Sequence, residues 1–155
     1  EGLRDDITVI ASGKIATGGE VGTHIALGAD LVHIGRGFLF SIGCIQAMQC
    51  HTNRCPTGVT TQNRWLQSGL DPMDKGVRVR NYALALERDL QMITHACGLT
   101  HPSQLHRGHV VMNVSPGVRK SLAELFPYPP NQPRLARALN SRTERWSPAT
   151  VYAAS

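Results

Sequence analysis

The first fifty residues repeat one pattern twice: a short β-branched run, a glycine-containing turn, and a helix start. Ile7-Thr8-Val9-Ile10-Ala11 ends at Ser12-Gly13-Lys14, and Leu31-Val32-His33-Ile34 ends at Gly35-Arg36-Gly37. Between them Thr17 can cap a helix that Gly18-Gly19 open. Val21, Ile25 and Leu27 give that helix an apolar side, and Gly28 stops it as a C′ glycine. A second helix is expected from Phe38 to Ala47. Strand, helix, strand, helix with short joints is the order of a βαβ unit with buried parallel strands. That order points to an α/β fold.

Each turn leads into a helix N-terminus, where backbone amides and the helix dipole favour an anion. Gly13, Gly18, Gly35 and Gly37 permit close backbone approach, and Lys14 and Arg36 add charge. Either turn alone could simply reverse the chain. Two in tandem resemble the paired joints that hold a phosphate after the last two strands of a (β/α)8 barrel. Ser12, Gly13, Lys14, Gly35, Arg36 and Gly37 are therefore the candidate phosphate residues.

Three of the four cysteines follow at once, Cys44, Cys50 and Cys55, spaced C-x5-C-x4-C with Pro56 after the last. A disulfide scaffold would scatter its cysteines, so this tight group points to ligation in a reducing compartment. Soft thiolates suit iron–sulfur chemistry, and three rather than four suggest a [3Fe–4S] cluster. The helix must end before Cys50 for the loop to bring the sulfurs together. Zinc held by the three cysteines and His51 remains an alternative at this point. Cys97 reads as a core thiol. His24, His33, His95, His101, His106 and His109 carry no ligand-like pairing and read as surface or satisfied core positions.

Residues 50–69 read as loop. Asp71-Pro72 opens a long helix with Val79, Tyr82, Leu86, Leu90, Ile93 and Cys97 on one face, closed by Gly98. A short helical turn is expected after Thr100, and a further helix from Ser115-Pro116 to Leu125. Pro127, Pro129, Pro130 and Pro133 then break the pattern. The stretch beyond, with Arg134, Arg137, Arg142 and Arg145, reads as a solvated, flexible tail. The net charge is +5, but aromatics make up only 5% and no basic stripe interleaves with them, which argues against a nucleic-acid surface. No stretch approaches the roughly 18 apolar residues of a membrane span.

Longer runs carry a resemblance. Ala11-Ser12-Gly13-Lys14-Ile15-Ala16-Thr17-Gly18, Ala26-Leu27-Gly28-Ala29-Asp30, Ile42-Gly43-Cys44 and the run from Cys50-His51-Thr52-Asn53-Arg54-Cys55-Pro56 through Thr57-Gly58-Val59-Thr60-Thr61-Gln62 resemble the FMN-binding synthase domain of glutamate synthases. The likeness continues through Gly98-Leu99-Thr100-His101-Pro102-Ser103 to about Pro130. It is nearest to stand-alone members that lack the glutamine amidotransferase domain.

The resemblance implies an FMN-binding (β/α)8 barrel, a [3Fe–4S] cluster on Cys44, Cys50 and Cys55, and phosphate turns after the seventh and eighth strands. Where larger synthases read Asp-Gly-Gly in the first turn, this chain has Ser12-Gly13-Lys14. The implied reaction is reductive amination of 2-oxoglutarate with glutamine-derived ammonia. Electrons would come from ferredoxin or a reductase subunit, through the cluster, to FMN.

The expected layout is two last βα units over 1–50, a cluster loop over 44–70, a helical extension over 71–126 and a tail over 127–155. A full barrel needs about 250 residues. The first six units, with the 2-oxoglutarate residues and most of the flavin site, lie outside such a layout. The start at Glu1, without an initiator Met, fits a piece of a longer protein that is inactive alone. The compartment expected is cytoplasmic, an upstream membrane anchor staying open. Two other readings stand beside this one: a zinc or iron–sulfur electron-transfer module without flavin turnover, and an inert fragment.

Overall fold

The computed structural model describes residues 6–127. The N-terminal Glu1 to Asp5 and the arginine-rich tail from Tyr128 onward lie outside the described residues. Within it the chain is a mixed α/β structure with two small sheets.

Strand β1 (Ile10–Ser12) pairs in parallel with β2 (Leu31–His33), Ile10 opposite Leu31 and Ser12 opposite His33. Helix α1 (Gly18–Leu27) connects them. Thr17 begins α1 through a capping box. Its Oγ1 accepts from the Glu20 amide, and Glu20 Oε2 accepts from the amides of Thr17 at 3.0 Å and Ala16 at 2.7 Å. Those two amides hold the Glu20 carboxyl below the usual carboxylate range. Gly28, at φ +113, closes the other end. The βαβ order read from the sequence is the order observed.

The strands are less buried than their composition suggests. Each alternates exposed, half-buried, exposed; Ile10 is 60% and Leu31 46% accessible. Ala11 and Val32 are the half-buried positions between them, and β2 packs against α1.

Helix α2 (Arg36–Ser41) is shorter than the expected Phe38–Ala47. Gly43, at φ +100, donates to Phe40 O, and the Cys44 amide donates to Leu39 O at 3.0 Å. This is a Schellman termination, so Cys44 lies in the turn after the helix rather than on it.

Helix α3 (Arg64–Gln67) sits inside the stretch expected to be all loop. Asn63 Oδ1 caps it by accepting from the Trp65 and Leu66 amides. Helix α4 (Pro72–Ala96) has the expected Asp71 cap and Pro72 in its first turn. At 25 residues it is about 37 Å long. It packs against α1 and α2. Val79, Tyr82, Leu86 and Leu90 lie on the packed face, but the deepest residue is Thr94, not Ile93. The Thr94 hydroxyl donates to Leu90 O at 2.7 Å, which lets a polar side chain sit where an apolar one was expected.

Two 3-10 turns follow, Pro102–Gln104 and Arg107–His109, the first where a helical turn was expected. The helix expected from Ser115 to Leu125 is instead a hairpin. Strand β3 (Val111–Ser115) pairs antiparallel with β4 (Val118–Ser121), and only α5 (Leu122–Leu125) is helical. Pro116-Gly117, with Gly117 at φ +78, supplies the two-residue turn. The extension over 71–126 is thus helix plus hairpin. Ile15, Ala26, Ala29, Leu105 and Leu122 form the small core.

Candidate functional site

The parallel pairing of Ser12 with His33 sends both glycine turns off the same sheet edge. In the first turn Gly13 (φ +129) and Lys14 (φ +55) are both left-handed, and the space beside the Gly13 Cα is open. Gly35 stands at the start of α2 without a side-chain cap, also in open space. These two glycines leave room for a close approach to the backbone.

Gly37 is placed differently. It is buried, and Tyr82 of α4 packs directly on its Cα. The Tyr82 ring meets Phe38 edge to face at 5.0 Å, and its hydroxyl donates to Ala16 O at 2.7 Å. Burial pushes the Tyr82 phenol up, which keeps it a donor. Gly18 is likewise filled from α4, by Asp89 and the Leu90 backbone. Ser12, Lys14 and Arg36 stay exposed around the edge.

All four cysteines are free thiols. Cys44 is half-buried after α2. A Cβ on its neighbour Gly43 would lie 3.9 Å from an Arg78 guanidinium nitrogen and 4.0 Å from Lys75 Nζ, so the first turns of α4 bring positive charge to the turn before Cys44. Cys97 caps the far end of α4, about 33 Å further along it, which removes it as a fourth ligand. Cys50 is exposed and Cys55 is buried at 8% accessibility.

Cys55 lies in a tightly tied loop. Asn53, left-handed at φ +61, accepts from the Thr61 hydroxyl through its carbonyl at 2.6 Å and from the Gln62 amide through Oδ1 at 2.6 Å. Gln67 of α3 donates to Thr61 O at 2.6 Å. The Gly58 amide donates to Cys55 O at 3.2 Å, and Thr57 Oγ1 lies 3.4 Å from Cys55 Sγ. The Thr57 hydroxyl, then the Thr60 amide, hold the Cys55 thiol down to about 6, against the rise that burial causes.

In the cluster-free chain, alkylation of Cys55 by iodoacetamide should rise through a pH of about 6 rather than the ordinary thiol value of 9.0. Because the folded value lies below the unfolded one, the thiolate adds stability that is complete above about pH 9 and lost as pH falls through 6. Peptide mapping of the alkylated residues against pH checks both the site and the midpoint. A Cys55 midpoint near 9 would remove the stabilised thiolate.

Over this loop lies an open depression of about 760 Å³, with Cys50, His51, Thr60 and Arg64 on its walls. Among the described residues no three His, Cys, Asp or Glu side chains converge as they would on one ion. The donor type suits an iron–sulfur cluster: three soft sulfurs, the Cys55 thiol among them held below its ordinary value by the Thr57 hydroxyl. The buried Thr60 Oγ1 has no hydrogen-bond partner among the described residues.

Nδ1 of His106 and Nδ1 of His109 each accept a backbone amide, so each neutral ring keeps its proton on Nε2. The two rings stack at 3.7 Å, and burial with the adjacent ring holds His109 below the usual imidazole range. Thr57, Thr60, Asn53 and Gln67 were absent from the sequence-based candidates. For Thr57 and Thr60 the signal was the polar run after Cys55-Pro56.

The paired βα turns and the three-cysteine loop after them fall within a known family region. The model of the conserved region in glutamate synthase matches residues 1–100, and the chain belongs to that family. It is 42% identical over 116 residues to the glutamate synthase large subunit-like protein YerD of Bacillus subtilis (strain 168), a match covering 75% of this chain and 22% of that protein. It is 38% identical over 99 residues to the archaeal glutamate synthase (NADPH) of Methanocaldococcus jannaschii, covering 64% and 19%. A glutamate synthase large subunit-like protein of Rhizobium meliloti is 33% identical over 116 residues. The chain spans about a fifth of the length of these first relatives. The relatives' names describe glutamate synthases, which are oxidoreductases. Among the described residues no helix is long and apolar enough to cross a membrane.

Proposed function

We propose that this chain supplies the last two βα units and the cluster loop of an FMN-containing (β/α)8 oxidoreductase of the glutamate synthase type, working in the cytoplasm. In this reading the parent reductively aminates 2-oxoglutarate with glutamine-derived ammonia, taking electrons from ferredoxin or a reductase subunit. The observation that carries the reading is the Cys55 loop: a buried sulfur 3.4 Å from Thr57 Oγ1, in a three-cysteine stretch that the family model covers.

Cys44, Cys50 and Cys55 would each hold one iron of a [3Fe–4S] cluster. Three soft sulfurs without a fourth cysteine nearby suit a three-iron cluster, each thiolate taking one iron. Gly13 and Lys14 in the first turn, and Gly35 with Arg36 in the second, would present open backbone and positive charge to the FMN phosphate, beside Ser12. Gly37 would act one step back, seating the Tyr82 ring that fixes the second turn. When bound, FMN supplies the hydride transfer; the residues here hold its phosphate end and the cluster thiolates.

The test is the visible and EPR spectrum of the anaerobically purified full-length gene product. Flavin absorption with the signal of an oxidised three-iron cluster is the expected result. A colourless protein carrying zinc would sink the proposal. In the same protein Cys50→Ser should lose most cluster iron and keep FMN, since Cys50 stands apart from the sheet edge. Unchanged iron content would remove Cys50 from the ligand set.

A further inference from the structure

We infer that Tyr82 is a positioning residue for the phosphate end of FMN: from α4 it holds the two glycine turns in one relative placement, so that both can meet a single phosphate. The inference rests on the FMN reading given above.

Strand pairing makes the two turns neighbours. Ser12 stands opposite His33, and each turn leaves its strand just beyond that pair. Adjacent strands lie about 5 Å apart, so one anion is within reach of both exits. Strands of three residues hold such exits only loosely.

Tyr82 reaches both turns. Its hydroxyl donates to Ala16 O at 2.7 Å, two residues after Lys14. Glu20 Oε2 accepts from the amide of the same Ala16 at 2.7 Å, and Ile15 beside it is buried at 3% accessibility. The exit of the first turn is thus tied at a carbonyl, an amide and an apolar side chain. In the second turn the phenol rests on Gly37, where any Cβ would overlap its oxygen. Phe38 meets the ring edge to face at 5.0 Å and keeps it in that place. Gly13 and Gly35, with open space beside them, remain the backbone offered to the phosphate. Tyr82 acts through them.

Phenylalanine would keep the ring on Gly37 and remove only the bond to Ala16. The first turn is then free to leave its place beside the second. Losing one ordinary hydrogen bond can leave the aligned arrangement about a tenth populated, which raises the Kd for FMN about tenfold. Riboflavin carries the same ring system without the phosphate. Its Kd should stay at the wild-type value in Tyr82→Phe.

The experiment titrates the full-length gene product, freed of flavin, with FMN and separately with riboflavin, read by quenching of flavin fluorescence. A weaker Kd for FMN with an unchanged Kd for riboflavin in Tyr82→Phe supports the role. An FMN Kd that does not rise overturns it and leaves the FMN reading intact, provided wild type still prefers FMN to riboflavin. An equal rise for both flavins also overturns it, since a general loss of structure would do the same. Wild-type protein that binds neither flavin, or FMN no tighter than riboflavin, overturns the phosphate reading and this inference together. If Tyr82→Phe does not fold, Phe38→Leu takes its place under the same criteria, since it loosens the same ring and leaves its hydroxyl in the chain.

Discussion

Replacing Gly18 with alanine should destabilise the chain by about 3 kcal/mol. At an ordinary helical glycine the same change stabilises by about 0.5–1 kcal/mol, because alanine leaves less backbone freedom to lose. The sign reverses here because α4 crosses α1 at this Cα. An added Cβ would overlap Asp89 Cβ and stand 2.7 Å from Leu90 N and 3.0 Å from Asp89 C. Two of those neighbours are backbone atoms of a long helix, and they cannot rotate away. The helices must separate, and Gly22, a turn further on, must also lose its contacts with Leu90 and Leu105. Urea unfolding reads the effect as a lower midpoint with an unchanged slope. Gly19→Ala is the control. Its Cβ would meet Ile93 Cδ1 at 3.7 Å, ordinary contact, so its midpoint should hold or rise. A Gly18→Ala protein as stable as wild type would mean that α4 does not cross α1 there.

The second large effect is expected at Gly58. Alanine in its left-handed backbone costs about 1–2 kcal/mol, and the 2.5 Å approach to Leu66 O adds a comparable overpacking cost. The loop can relieve both by lifting away from α3, which uncovers Cys55 and separates it from Thr57. Gly58→Ala should therefore raise the alkylation rate of Cys55 in the cluster-free chain by at least about tenfold, toward that of an exposed thiol. It should also lower cluster iron in the loaded protein. An unchanged alkylation rate, measured beside exposed Cys50 as an internal reference, would show that α3 does not brace the turn.

Much of the frame was legible in the sequence because its signals are local. Thr17 with Glu20, Gly28, Asp71-Pro72 and Gly98 each mark a helix end through a hydrogen bond or backbone state that one or two residues decide. The misread elements are those where two local signals compete. Ile42 and Ile45 extend the apolar pattern of α2 past Gly43, and the left-handed glycine wins. Pro116 suits a helix start, but the alternating chains on either side pair with each other, so Pro116-Gly117 becomes a hairpin turn. Thr94 outranks Ile93 as a buried residue because it satisfies its own hydroxyl against the helix.

The candidate site divides in the same way. The three cysteines stand out by spacing alone. Thr57 and Thr60 do not, since their direction depends on the backbone of Gly58 and on α3 pressing against it. The glycines of the two turns look alike in sequence, yet Gly13 and Gly35 face open space while Gly37 is filled by a tyrosine from a distant helix.

That tyrosine acts as a ruler. Tyr82 touches Phe38 and Gly37 beyond the second turn, and its hydroxyl reaches Ala16 in the first. The three-residue strands beneath are short and half open. The gauge between the two turns is therefore set by the length of one phenol, and the strands could flex without altering it. Whatever tilts α4 must carry both turns with it as a pair.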